Sequence, residues 1–205
     1  MITSYKNIIW DFDGVLINSN QIREAAFREA FSGYSKKNIT ELIKFHKLNE
    51  GLSRYVKIEY FFNKILNQKL SKKKSNEILK IYGNICLEKL KDRSLLIDET
   101  ISFIRQYNNT KDFHIASGSD NNELNYLCTS LDLEPFFKSI NGSPEPKKDI
   151  VKRIISQNNY CSRETCLVGD SINDYEAAHY NKIFFFGYNN LKLQNIQNTS
   201  YLKNL

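Results

Sequence analysis

The sequence predicts an α/β protein: a doubly wound, Rossmann-like parallel sheet with an α-helical domain inserted after its first strand. Two observations carry that prediction. Short, continuous apolar runs rich in β-branched and aromatic residues alternate with amphipathic helical stretches, the rhythm of buried parallel strands joined by right-handed crossovers. One long interruption, helical throughout, breaks that rhythm between the first strand and the second.

The predicted strands are Asn7–Phe12, Phe113–Ala116, Phe137–Ile140, Thr165–Val168 and Lys182–Phe186. Helices are predicted over Thr100–Tyr107, Asn121–Leu131, Lys147–Gln157 and Asn173–Tyr180. In the interruption, Ile22, Ala26 and Ala30 repeat at helical spacing, with Phe27 and Phe31 alongside. Ile58, Phe61, Ile65 and Leu70, then Leu79, Tyr82, Cys86 and Leu90, continue the pattern, which reads as core packing of about four helices. The expected organisation is an α/β core over residues 1–17 and 92–205 with a helical insert over 18–91.

Composition narrows the class. With 205 residues, 41% hydrophobic and 25% charged, the chain suits one globular domain carrying a smaller insert, not a disordered protein. No apolar run approaches the roughly 20 residues of a membrane span, and the start MITSYKNIIWDFDG lacks the build of a signal peptide. Cys86, Cys128, Cys161 and Cys166 show no CxxC spacing and read as reduced thiols in a cytoplasmic protein. The net charge of +6 favours anionic ligands in general. Nucleic acid is not expected: the run Lys69, Lys72, Lys73, Lys74 sits at a helix boundary, and no segment interleaves aromatic and basic residues.

The chemistry-bearing residues gather at the predicted strand ends, where ligands of open α/β sheets bind. Strand one ends in Asp11-Phe12-Asp13-Gly14, and alternation along a strand sends both carboxylates the same way. They repel unless a cation or shared proton relieves them. Strand four ends in Gly169-Asp170, with Asp174 four residues on. An aspartate in Asp174's place also suits a helix cap, but two acidic clusters at equivalent strand ends suit a hard divalent cation such as Mg²⁺. After strand two, Ser117-Gly118-Ser119 offers a hydroxyl, backbone N–H groups and a helix start, the parts of a phosphate cradle and equally of a common turn. Lys147 and Lys148 follow the Pro-rich loop after strand three, where a lysine can neutralise phosphate and carboxylate together. Gly14, Gly118, Gly142 and Gly169, half of the chain's 8 glycines, fall at or beyond the ends of strands one to four.

Together the DFDGVL segment, the ASGSD segment, Lys147 and the GDSINDYEAA segment resemble, in order, the four motifs of the haloacid dehalogenase superfamily. The resemblance covers nearly the whole chain and includes an α-helical cap after the first motif. It looks nearest to the phosphoglycolate phosphatase and β-phosphoglucomutase-like subfamilies. Their first motif continues with an acidic residue and serine; Asn18 and Ser19 stand there, a departure expected to bear on the cap hinge and not on the catalytic core.

The resemblance implies a Mg²⁺-dependent phosphatase acting on a small phosphorylated metabolite through an aspartyl-phosphate. Asp11 is then the nucleophile, and Asp13 the general acid and base that also lends a backbone carbonyl to the metal. Asp170 joins Asp11 and Asp13 in the metal site, with Asp174 either a further ligand or a group that orients the ligands. Ser117, Gly118 and Gly14 hold the phosphoryl group, and Lys147, which fits the family spacing better than Lys148, balances charge. The dehalogenases lack the second aspartate, so Asp13 argues for phosphate chemistry. A phosphomutase keeps the same core and is the alternative; a phosphoacceptor signalling domain and a scaffold without turnover are the more distant ones. The cap loop His46–Tyr55 is expected to face the site, with Lys47, Asn49, Arg54 and Tyr55 suited to a sugar phosphate or phosphorylated sugar acid, Arg54 above all. The sequence leaves the substrate and the oligomeric state open.

Overall fold

A computed structural model describes residues 1–197 and 199–205. Its centre is a parallel sheet built from β1 (Asn7–Trp10), β2 (Asp112–Asp120), β3 (Ser139–Ser143), β4 (Thr165–Gly169), β5 (Phe184–Tyr188) and β6 (Ser200–Leu202). The strand order is β3-β2-β1-β4-β5-β6, with every neighbouring pair parallel. Strand β1 therefore lies at the middle, where the order reverses, and its carboxyl end opens onto the crevice that such sheets use for ligands.

All four residues of β1 are buried, and their alternation divides the core. Ile8 and Trp10 face one cluster, shared with α5 (Asp98–Tyr107) and α6 (Asn121–Ser130). Ile9 faces another, shared with α7 (Lys147–Gln157) and α8 (Ile172–Tyr180). The Trp10 ring meets Phe103 and Phe113 edge-on, with centroids 5.8 and 6.0 Å away.

Between β1 and α5 lie α1 (Asn20–Ala30), α2 (Lys36–Leu48), α3 (Arg54–Tyr60), which runs on through a π turn at Phe61–Ile65, and α4 (Lys72–Lys89). Ser35, Ser53 and Ser71 cap α2, α3 and α4, each hydroxyl accepting a backbone N–H three residues on. The aromatic stripes are core: Phe27 packs on Tyr82 and Phe31 on Phe61, each at 4.4 Å between centroids. The chain leaves and rejoins the α/β part through two segments bonded to each other, Asn18 N–H to Leu95 O at 2.8 Å and Ile97 N–H to Leu16 O at 3.0 Å.

Several boundaries differ from expectation. Strand β1 stops at Trp10, not Phe12, because the chain turns sharply at Phe12, whose carbonyl accepts from Leu16 and Ile17. Strand β2 runs on to Asp120, so Gly118 lies inside it, and β3 is displaced from Phe137–Ile140 to Ser139–Ser143, taking in Gly142. The polar residues of both strand ends hid this continuation from a hydrophobic pattern. Strand β6 is an addition, one exposed and two half-buried residues with no apolar run to mark them.

Candidate active site

The loops at the carboxyl ends of β1, β2, β3 and β4 meet under the insert. Asp11 continues the ladder past β1, its N–H donating to Val168 O at 2.9 Å. Its carboxylate accepts from Phe12 N–H at 2.7 Å and from the Lys147 ammonium at 2.8 Å. Lys147 is the first residue of α7, so its side chain drops into the crevice and also pairs with Asp174. Lys148, one residue on, is exposed and rests over the Tyr180 ring.

Asp174 is buried beneath Ser171, whose N–H and hydroxyl donate to it at 3.0 and 2.6 Å. It thus closes the first turn of α8 and faces the site at once. Asp11, Asp170 and Asp174 each present a carboxylate oxygen within 4.8 Å of the others. Burial, then the charge of Asp174, pushes Asp11 up to about 7 against the pull of Lys147. Burial, with Asp11 and Asp174, raises Asp170 as well. Three buried carboxylates against one ammonium leave a surplus of two negative charges, which a divalent cation fits. Gly14 permits the crowding: it adopts φ +73°, and a Cβ there would lie 2.0 Å from Asp170 Oδ2.

Asp13 sits differently. Its carboxylate accepts from Ser19 Oγ and Ser119 Oγ, each at 2.5 Å, and from Arg23 Nε at 3.0 Å. Burial works to raise it, but Arg23 and the two hydroxyls outweigh burial and hold it at about 2. Ser19 is the serine that the resembled motif has, while Asn18, which stands in place of its acidic residue, lies at the crossing to the insert, its N–H bonded to Leu95 O at 2.8 Å. Ser117 is buried, with its hydroxyl accepting from Ser119 N–H at 3.1 Å. A Cβ on Gly118 would lie 2.4 Å from Gly51 O, so the loop before α3 rests directly on the Ser117–Ser119 segment.

The insert is closed over these residues. Arg23 of α1 and Arg54 of α3 both reach Glu123 of α6, Arg54 at 2.5 Å, and all three side chains are buried. Arg54 also lies 4.6 Å from the centre of the Tyr82 ring. The remaining space, about 30 Å³, is lined by Asp11, Asp13, Ser117, Gly118 and Asp170 from below and by Arg23, His46, Arg54 and Lys57 from above. The structure thus places Arg54 at the site but commits its guanidinium to Glu123. Of the other loop residues expected to meet substrate, it brings none of Lys47, Asn49 and Tyr55 there. Lys47 pairs with Glu24, Asn49 bonds to Phe45 O, and Tyr55 donates to Asp120.

Arg23, Lys57, His46 and Glu123 were not singled out in the sequence. A signal existed for two of them. Arg23 falls on the same helix face as Ala26, Phe27 and Ala30, and Lys57 stands beside Ile58 and Phe61. A cation on an apolar stripe is a buried cation, and buried cations need a reason. Glu123, in the first turn of α6, looked like an ordinary acidic first-turn residue.

Residues 8–188 match the haloacid dehalogenase-like hydrolase family, and the chain belongs to it. It is thereby an enzyme, a hydrolase. The fold is similar to that of CbbY from Rhodobacter sphaeroides in complex with xylulose-(1,5)bisphosphate, at 14% identity and TM-score 0.77 over 98% of this chain and 94% of that one. It is similar to β-phosphoglucomutase from Clostridium difficile at 16% identity and TM-score 0.76, over 98% and 91%. YfnB of Bacillus subtilis, a putative hydrolase of this class bound to magnesium and described as showing interdomain movement, gives 16% identity and TM-score 0.72 over 98% and 95%. Among curated proteins there is no sequence match. No helix among the described residues is long and apolar enough to cross a membrane.

Proposed function

We propose that this protein is a Mg²⁺-dependent phosphatase that hydrolyses a small phosphorylated metabolite through an aspartyl-phosphate on Asp11, with residues 18–91 acting as a cap on a core of residues 1–17 and 92–205. The observation that carries this reading is Asp11 itself: a buried carboxylate beyond the central strand, paired with Lys147 at 2.8 Å and facing Ser117 and Gly118 across one small cavity.

The chemistry follows from that placement. The Ser117 hydroxyl, the Gly118 N–H and the Lys147 ammonium hold the phosphoryl oxygens, and Gly14 lets the chain approach them closely. Lys147 also orients Asp11, whose carboxylate oxygen attacks phosphorus in line with the leaving oxygen. As that bond breaks, Asp13 gives its proton to the leaving alkoxide. Asp13 then accepts a proton from the water that attacks phosphorus, and the aspartyl-phosphate releases Asp11 and inorganic phosphate. The Arg23 contact holds Asp13 as a carboxylate, the form required for that second half, so the first half needs the contact loosened. Asp11, Asp170, Asp174 and the Asp13 carbonyl would hold Mg²⁺, which supplies positive charge to the phosphoryl oxygens when bound. Arg54, lining the same cavity, is placed to face the part of the substrate that is not transferred.

A cavity of about 30 Å³ admits no phosphorylated metabolite, so substrate enters when the cap lifts. Four unpaired cysteines, three of them buried, support a reducing compartment such as the cytoplasm. The test is turnover of p-nitrophenyl phosphate: wild type should hydrolyse it with Mg²⁺, and Asp11→Asn should not. A folded Asp11→Asn protein with wild-type turnover removes the proposal.

A further inference from the structure

Lys57 is a buried amine with no ion-pair partner among the described residues, and burial pulls its pKa down to about 7 against the more distant charges of Asp13 and Glu50. It is 3% exposed and lines the cavity over the catalytic aspartates. Its ammonium meets two acceptors, Glu50 O at 3.0 Å and His46 Nδ1 at 3.0 Å. Among the described residues no carboxylate forms an ion pair with it, whereas the other two cap cations are committed, Arg23 to Asp13 and Glu123 and Arg54 to Glu123. An ammonium has three donors and a strong need for a counter-charge in a dry site. The Glu50 carboxyl lines the same cavity without forming an ion pair; its burial raises its pKa, against the pull of Lys57.

His46 bears on the chemistry further. When Lys57 is protonated its ammonium donates to Nδ1, which puts the neutral ring's one proton on Nε2, where no hydrogen-bond partner lies among the described residues. Burial, then the charge of Lys57, holds the ring neutral, with its pKa down at about 3. The cavity therefore offers one ammonium N–H and one imidazole N–H side by side, on the cap, opposite Asp11. Two donors match the two oxygens of a carboxylate. A second phosphate, with three oxygens, exceeds the donor count.

We propose that Lys57 and His46 form an anion subsite that seats a carboxylate on the part of the substrate that is not transferred, so that the preferred substrates are phosphorylated acids and not neutral polyol or sugar phosphates. This rests on the phosphatase reading above. The seated carboxylate supplies the counter-charge that the closed cap lacks, so closure is most favourable over an acidic substrate.

The experiment compares matched pairs that differ only in a carboxylate against a hydroxymethyl group: 3-phosphoglycerate with glycerol 3-phosphate, 4-phosphoerythronate with erythritol 4-phosphate, and 6-phosphogluconate with glucitol 6-phosphate. Wild type should favour the acid of at least one pair by tenfold or more in kcat/KM. Lys57→Met should reduce that ratio to within about threefold of unity. A purely structural lysine would lower both members alike and keep the ratio, which overturns the subsite. A wild-type enzyme that hydrolyses p-nitrophenyl phosphate but prefers no acid in any pair overturns it as well, without recourse to a variant. Absence of all phosphatase activity, p-nitrophenyl phosphate included, instead removes the underlying reading and the subsite with it.

Discussion

Replacing Glu123 with alanine tests how the closed arrangement is held. The side chain is 4% exposed and lies between Arg23 and Arg54, so it ties two cap helices to one core helix through a single carboxylate. In Glu123→Ala, Arg23 keeps Asp13, but Arg54 keeps only the Tyr82 ring. Removing one partner of a buried ion pair costs about 3–5 kcal/mol, because a desolvated charge is left behind. The chain has an escape: if the cap lifts, Arg54 reaches water. The loss then falls on cap closure, and at about 1.4 kcal/mol per decade it lowers kcat/KM by a factor of about 10² to a few times 10³. If the cap stays shut, the same 3–5 kcal/mol appears as lost unfolding free energy, read by urea titration of the fully buried Trp10, the chain's one tryptophan. Small-angle scattering separates the two, since opening enlarges the molecule. A Glu123→Ala protein with wild-type kcat/KM, stability and scattering would show that this bridge holds nothing.

Other consequences follow from the catalytic carboxylates. Asp13→Asn should slow turnover by about 10²–10⁴, and alkyl phosphates should suffer more than p-nitrophenyl phosphate, whose leaving group needs less help; equal losses assign Asp13 to the metal alone. Lys147→Ala should cost about 10²–10³ in kcat, since it removes one preorganised donor to the phosphoryl group. EDTA should abolish activity, Mg²⁺ restore it and Ca²⁺ support it poorly, because its looser coordination suits in-line transfer less well. Without metal, Asp11 titrates at about 7 in the folded chain and near 4 in the unfolded one. Between those values the folded state holds a proton that the unfolded state has lost, so stability falls as pH rises through that window. Asp11→Asn should therefore raise the urea midpoint at pH 8 in EDTA; a lower midpoint contradicts the mutual repulsion of Asp11, Asp170 and Asp174.

How much of this was legible in the sequence depends on the range of the interaction. The five longer strands and the helical insert announce themselves through apolar periodicity, which burial dictates locally. Asp11, Asp13, Ser117, Lys147, Asp170 and Asp174 could be grouped as a candidate site because each lies at or within a few residues of a predicted strand end, and the topology of the sheet brings strand ends together. The bonds from cap to core were not. Arg23 and Glu123 are 100 residues apart in sequence, and Arg54 and Glu123 are 69 apart. Nothing within either helix says that a buried charge on one will find its partner on the other. Arg54 shows the same limit: its type and place suggested a substrate contact, while its bond to Glu123 required the closed cap to be seen.

The central claim is covalent chemistry at Asp11, and borohydride trapping tests it most directly. Asp13→Asn enzyme, mixed with substrate and Mg²⁺ and then quenched, should hold aspartyl-phosphate because its breakdown lacks a base. Reduction by borohydride and peptide mass spectrometry should then find homoserine at position 11 and nowhere else. Homoserine at another aspartate, or none at position 11 while the enzyme still turns over, would contradict the account.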